Sequence, residues 1–307
     1  MTENFSRKPI VITGANGFLG YTVVKILSEN GAELRGLYGP PTKFDALLSG
    51  IEAVRGDICD TQVVGALVRG ADTVIHLAGP PSVAASFEDP AEFVRIHGAG
   101  TACLLSACVR ADVRRFVYVS SAQVYGCPRS EYVAEDHEMQ ARSPYAAAKI
   151  CGEKLIEAYH RTFGLETVVL RPFSIYGRGS SPDAVLNKII AMAASGESVV
   201  LYDLRPVLDY CFVEDVAGAL VRACLAPVAG KTFNVGTMRG TSIRELAASV
   251  IRLLGKSSEV VEDTGRRRPG GSDILRLVAD NTRAVTELGW CPKKSLEEGL
   301  RLTLNGV

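Results

Sequence analysis

Thr13-Gly14-Ala15-Asn16-Gly17-Phe18-Leu19-Gly20 joins an apolar run, Pro9-Ile10-Val11-Ile12-Thr13, to a helical stretch that reads from Gly17 to Asn30 and stops at Gly31. Glycines between a strand and a helix let backbone N–H groups approach a pyrophosphate, and the helix N-terminus adds partial positive charge at the same place. The spacing is G-x-x-G-x-x-G, not the G-x-G-x-x-G of the usual dehydrogenase fingerprint. A tight turn without a ligand uses the same residues. Three glycines at the first strand–helix junction favour a dinucleotide.

Working outward, β-rich runs alternate with helical ones as far as about Leu170. Strands are expected at Glu33 to Tyr38, Glu52-Ala53-Val54-Arg55, Thr73 to Leu77, Arg115 to Ser120 and Glu166 to Leu170; the longest helical patterns cover 90–111 and 143–163. Apolar strands separated by helices are buried on both faces, which gives an α/β fold with a doubly wound parallel sheet. Beyond Arg171-Pro172 the rhythm loosens into a smaller C-terminal lobe. The division expected is 1–171 for the dinucleotide, rejoined by 207–226, with 172–206 and 227–307 forming the substrate lobe. A last helix is expected to open at Ser295-Leu296-Glu297-Glu298.

Lys and Arg number 34 against 34 Asp and Glu, so the 307 residues carry no net charge. That balance argues against nucleic acid or an anionic membrane as the main partner. No apolar run is long enough to span a bilayer, and Met1 to Lys8 reads as no signal peptide. The eight cysteines form no C-x-x-C pair and sit mostly among aliphatic residues, as buried thiols of a cytoplasmic protein would. The four histidines show no ligand spacing, so no metal is expected.

Further segments follow in order: Gly56-Asp57-Ile58, His76-Leu77-Ala78-Gly79, Ser120-Ser121-Ala122-Gln123-Val124-Tyr125-Gly126, Ser143-Pro144-Tyr145-Ala146-Ala147-Ala148-Lys149, Leu170-Arg171-Pro172-Phe173-Ser174-Ile175-Tyr176-Gly177, Asp209-Tyr210-Cys211-Phe212-Val213-Glu214-Asp215, Phe233-Asn234-Val235-Gly236 and Gly289-Trp290. With the glycine-rich turn they resemble the extended short-chain dehydrogenase/reductases, the group of nucleotide-sugar epimerases and dehydratases. The resemblance covers nearly the whole chain. It implies a Rossmann-like cofactor domain, NAD as cofactor with NADP left open, and a nucleotide-sugar substrate. It also implies a homodimer through the helices near 90–111 and 143–163. Gly14, Asn16, Gly17, Phe18, Leu19, Gly20, Asp57, Ile58, Leu77, Ala78, Gly79, Tyr145, Lys149 and Pro172 would line the cofactor. Ser82, Ala122, Gln123, Ser174 and Arg268 would meet the substrate.

Tyr145 and Lys149 are four residues apart and share a helix face. An ammonium beside a phenol stabilises the phenolate and prepares it as a general base. Tyr21 and Lys25 repeat the spacing but have no serine at a strand end to complete them, and read as a packing pair. With Ser121, Tyr145 and Lys149 form the expected catalytic set: Tyr145 takes a hydroxyl proton while hydride passes to the nicotinamide. Dehydratases of the family carry an acid just after the serine or threonine; here Ala122 and Gln123 stand there, and an amide is neither acid nor base at neutral pH. The expected outcome is therefore epimerisation at C4 by transient oxidation and hydride return. A ketoreductase of a keto-sugar or other natural-product intermediate ranks second, a dehydratase third and a non-catalytic dinucleotide-binding regulator last.

Four positions depart from the family pattern. The acid expected near the second strand's end is replaced by Tyr38-Gly39-Pro40-Pro41, with Lys43 nearby; Ser174 replaces an asparagine, Leu208 an arginine (Arg205 lies three residues earlier), and His97 an asparagine read as a buried hydrogen-bonding residue. Arg266-Arg267-Arg268 is read as an anion clamp for the nucleotide phosphates.

Overall fold

Every residue of the first strand, Ile10–Thr13 (β1), is buried. Alternate residues serve opposite faces: Ile10 and Ile12 join one apolar cluster and Val11 another. The computed structural model describes residue 5 and residues 8–48, 50–263 and 274–305. The elements that follow are α1 (Phe18–Glu29), β2 (Leu34–Tyr38), β3 (Glu52–Arg55), α2 (Thr61–Leu67), β4 (Thr73–His76), α3 (Ala85–Glu88), α4 (Pro90–Val94), α5 (Thr101–Arg110), β5 (Arg115–Val119), α6 (Pro144–Phe163) and β6 (Glu166–Pro172). Then come β7 (Ser174–Tyr176), α7 (Val185–Ser195), β8 (Val199–Leu201), β9 (Val207–Phe212), α8 (Val213–Leu225), β10 (Lys231–Val235), β11 (Gly240–Ser242), α9 (Ile243–Leu253), β12 (Val260–Glu262), β13 (Arg276–Leu277) and α10 (Leu296–Leu304).

Seven parallel strands form the main sheet in the order β10-β6-β5-β4-β1-β2-β3. The order reverses between β1 and β4, which opens the crevice where such sheets take ligands. Val23, Val24 and Leu27 of α1 and Val216 and Leu220 of α8 cover one face; Leu104 and Leu105 of α5 and Ile156 of α6 cover the other. The smaller lobe gathers α7, α9 and α10 around Tyr210 and Phe212 of β9. Within it β9 pairs with β7, β11 and β13.

Two details correct the division read from the sequence. Of the rejoining stretch 207–226, α8 packs on the main sheet, while β9, which adds Cys211 to that core, is the centre of the small one. Conversely β10, placed with the lobe, pairs with β6 at the main sheet's edge, because Phe233 and Val235 are fully buried there. The long helical pattern at 90–111 is also interrupted: Arg95–Gly100 is a π-turn between α4 and α5. Such turns break the hydrogen-bond ladder and cluster at functional sites.

A buried polar network ties these layers together. Arg171 on β6 donates Nε and Nη2 to Glu153 of α6 at 2.9 and 2.6 Å, with both side chains only 6% exposed. Arg171 Nη1 also reaches the Tyr125 hydroxyl and the Glu135 carbonyl, and the Tyr125 hydroxyl donates to Asn234 Oδ1 of β10 at 2.6 Å. Asn234 Nδ2 in turn holds the Val133 and Asp280 carbonyls, linking the sheet edge to the lobe. Removing one member strands the other charge in a dry site. Glu153→Gln is expected to cost about 3 kcal/mol in urea unfolding; a loss below about 1 kcal/mol would show that the pair does not anchor α6.

Candidate active site

The glycine-rich turn is shaped by close backbone contacts. Gly14 has φ +69°, and a side chain there would crowd the Ala78 backbone at 3.1 Å. A Cβ on Gly20 would collide with the Gly14 carbonyl. Gly17 is the N-cap of α1 and, having no side chain, leaves the first helical N–H groups uncapped, with no acid in the first turn. That uncapped end fits a pyrophosphate. Phe18 and Leu19 lie at the same helix start and pack against the lobe's apolar cluster, so the turn also contacts the lobe.

Thr13 registers this turn against the segment after β4. Its Oγ1 accepts the N–H groups of Leu77 and Ala78, both at 3.1 Å, and donates to His76 Nδ1 at 2.7 Å. The Thr101 hydroxyl donates to the His97 carbonyl, so it accepts from His76 Nε2–H at 3.0 Å, which fixes the tautomer. Burial pushes His76 down to about 3, so it stays neutral. Asn16 organises the loop after β2: its amide donates to the Pro40 carbonyl and Asp45, and its oxygen accepts from Gly39 N–H.

Ser121 follows β5, and Tyr145 and Lys149 lie on one face of α6. Tyr145 is 8% exposed, and Ser121 lies near enough to its hydroxyl to act on its acidity. Lys149 is 5% exposed; its Nζ donates to the Val119 carbonyl at 2.9 Å and lies 5.9 Å from the Tyr145 ring centroid. The three expected catalytic residues are thus brought together. Desolvation acts on them in opposite senses: it raises the Tyr145 phenol, which the Ser121 contact partly offsets, and lowers Lys149 to about 7. The phenol is therefore not depressed in the cofactor-free protein as its spacing to Lys149 suggests.

The remaining site residues differ in what they face. Asp57 accepts Cys59 N–H at 2.8 Å and pairs with Arg95 at 2.7 Å, a turn built beside the crevice, while Ile58 is buried against Gly100. Gly79, with φ +132°, packs its Cα against the His97 ring. His97 bonds the Pro80 carbonyl through Nε2 at 3.1 Å, packs edge-on to Tyr145, and burial holds it neutral at about 2. That is the hydrogen-bonding histidine expected. Ser82 Oγ accepts Ala85 N–H and shapes the start of α3. Ala122 is 2% exposed and faces the cluster of Val124, Tyr125 and Phe173 instead of open crevice, whereas Gln123 is half-buried. Pro172 is buried at the end of β6, and Ser174 on β7 is half-buried in register with Tyr210. Arg268, with the rest of the Arg266–Arg268 cluster, lies outside the described residues. Tyr21 stacks on Phe44 at 4.9 Å and Lys25 is exposed, so that second pair serves packing.

Several motif residues given no role from sequence are structural ties. Asp209 accepts N–H bonds from Thr237, Met238 and Ala279, and Asp215 holds Trp290 Nε1 and Lys294 N–H through its carbonyl and carboxylate.

Lys149 supplies a stability test. Its folded-state value of about 7 lies below the unfolded value of 10.5, so between those pH values the unfolded chain binds the extra proton and stability rises with pH. The stability of Lys149→Met relative to the wild type is expected to fall as pH rises through that interval, by up to about 1.4 kcal/mol per unit. Urea titrations of cofactor-free protein at pH 7 and pH 10 read it; a constant difference would contradict the lowering of Lys149 by burial.

Residues 10–236 match the NAD dependent epimerase/dehydratase family. A UDP-glucose 4-epimerase from Mycolicibacterium smegmatis is 34% identical over 96% of both chains. A dTDP-glucose 4,6-dehydratase from Streptomyces griseus is 32% identical over 96% of this chain and 92% of its own. The crystal structure of the Thermotoga maritima UDP-glucose 4-epimerase with UDP-glucose superimposes with TM-score 0.91 at 31% identity, covering 97% of each chain. With the glycine-rich turn, the Ser121–Tyr145–Lys149 arrangement and the doubly wound sheet, these matches make the chain a member of the NAD-dependent epimerase/dehydratase family, enzymes of the extended short-chain dehydrogenase type.

Proposed function

We propose that the chain is an NAD-dependent nucleotide-sugar epimerase acting at C4, with Ser121, Tyr145 and Lys149 as its catalytic residues. The observation that carries this reading is the cluster of these three side chains at the end of β5, Tyr145 and Lys149 buried and Ser121 half-buried, with an amide, Gln123, where a dehydratase of the family has an acid. When bound, the nicotinamide supplies a reversible two-electron acceptor beside the phenol.

Tyr145 takes the proton from the substrate hydroxyl, and its phenolate is stabilised by the neighbouring ammonium of Lys149. Ser121 hydrogen-bonds the same oxygen and holds it in line. Val119 orients Lys149 through its carbonyl, leaving the other ammonium protons for ribose hydroxyls. The turn at Gly14–Gly20, with Leu77, Ala78 and Gly79 opposite, would hold the pyrophosphate and nicotinamide. Asp57 and Ile58 would hold the adenine, and Pro172 would meet the nicotinamide. Ser82, Gln123 and Ser174 line the substrate side, and Arg268 serves the nucleotide phosphates. Tyr145 returns its proton to the same oxygen once the sugar has turned its other face. No acid is needed at position 122 or 123, which sets this reading above dehydration.

Pairing of two copies through α4–α5 and α6 accords with their outward apolar groups: Val94 is 51% exposed, and Cys151 is exposed on α6. Eight cysteines without a C-x-x-C spacing accord with a cytoplasmic setting.

A panel of nucleotide sugars incubated with purified enzyme and no added reductant, followed by NMR, tests the activity. Interconversion of two 4-epimers is expected, and Tyr145→Phe is expected to lower the rate by about three orders of magnitude. Turnover only with added reduced cofactor would assign a ketoreductase, and loss of the 6-hydroxyl a dehydratase. In light scattering the protein is expected to be a dimer, and Val94→Glu to shift it toward monomer; a monomeric wild type would contradict the helix pairing.

A further inference from the structure

At the adenosine end of the crevice the chain lacks the carboxylate that selects an unphosphorylated ribose, because β2 ends in Tyr38-Gly39. A carboxylate at that strand end accepts ribose hydroxyls and repels a 2′-phosphate, whereas an arginine nearby accommodates one. The group found there is a guanidinium. Arg55, the register partner of Tyr38 on β3, folds its side chain across the strand end: Cζ lies 5.9 Å from the Tyr38 ring centroid, and Nη1 donates to the Gly39 carbonyl at 2.8 Å. Its Nη2 meets Asp45 at 2.5 Å, and the side chain is 52% exposed.

Asp45 is the one carboxylate the described residues bring to Arg55, and most of its capacity is taken. Oδ1 accepts from Asn16 Nδ2 at 2.9 Å and from the Thr42 N–H and hydroxyl at 3.1 and 3.2 Å, and Oδ2 accepts from Arg55. The Asn16 and Arg55 bonds hold its carboxyl well below the usual carboxylate range. Asp45 thus serves as a staple between the glycine-rich turn and the loop after β2. Arg55 keeps three of its five N–H donors after the two bonds described. The space beside Gly39 is open, for a Cβ built there meets no atom within 4 Å.

We infer that the adenosine subsite accepts a ribose 2′-phosphate, with Arg55 as the residue that meets it, so that this chain binds NADP comparably to NAD. The inference rests on the dinucleotide reading of the crevice and goes beyond it by naming which dinucleotides enter. A planar guanidinium takes a phosphate through two parallel N–H bonds, and its attraction is strongest where no opposing carboxylate is free.

Isothermal titration of cofactor-stripped protein with NAD and with NADP tests this without reference to activity. The wild type is expected to bind the two within about tenfold of each other. Arg55→Gln is expected to weaken NADP by at least about tenfold and NAD by less than about threefold. Gly39→Asp, which fills the open space with the missing carboxylate, is expected to weaken NADP by about a hundredfold while sparing NAD. NAD binding with NADP weaker by more than about tenfold in the wild type would overturn the inference alone. Equal weakening of both by Arg55→Gln would do the same. Failure of either dinucleotide to bind would overturn it together with the cofactor reading.

Discussion

One turn beyond Lys149 on α6, Glu153 is buried against Arg171 of β6, and the geometry of the crevice depends on that ion pair. Tyr145, Lys149 and Glu153 fall four residues apart, so one helix face carries the proposed base, the cation beside it and the anchor that presses both toward the sheet. A buried ion pair adds little net stability compared with apolar packing, but it tolerates only one arrangement of its partners. Arg171 spreads the constraint through Tyr125 and Asn234 to β10 and the lobe. The network therefore sets the distance between the main sheet and the smaller lobe more than it adds to the folding free energy.

Burial gives the site its chemistry and also opposes it. The dry pocket raises the Tyr145 phenol and lowers Lys149, so both are pushed toward their neutral forms. With Lys149 Nζ 5.9 Å from the Tyr145 ring centroid, a charge on either would favour the opposite charge on the other. His76 and His97, both neutral and buried beside them, add no competing cation: one registers the turn after β4, and the other packs on Gly79 and Tyr145.

The parts of this architecture legible in the sequence are those with local periodicity or local chemistry. The apolar run into Gly14, Gly17 and Gly20 marks the first strand and helix, and alternation to Leu170 gives the parallel sheet. Ser121 at a strand end separates Tyr145/Lys149 from the decoy pair Tyr21/Lys25. What escaped the sequence is long-range. Asn234 meets Tyr125 across 109 residues and Arg171 meets Tyr125 across 46, pairings that no periodicity encodes. The π-turn at Arg95–Gly100 lies inside an unbroken helical pattern, since an extra residue per turn leaves composition unchanged. β10 looked like lobe because its apolar run is short, and only pairing with β6 shows where it belongs.

The central claim is that one oxygen at C4 is deprotonated and reprotonated by Tyr145 while its carbon's hydrogen leaves and returns within a closed crevice. The direct measurement is incubation with the nucleotide sugar that turns over, deuterated at C4, without added reductant, reading deuterium in the 4-epimer formed. The account predicts that deuterium stays at C4 through to equilibrium and that Tyr145→Phe slows the conversion by about three orders of magnitude. Loss of the label to solvent, or conversion that depends on external reduced cofactor, would contradict it.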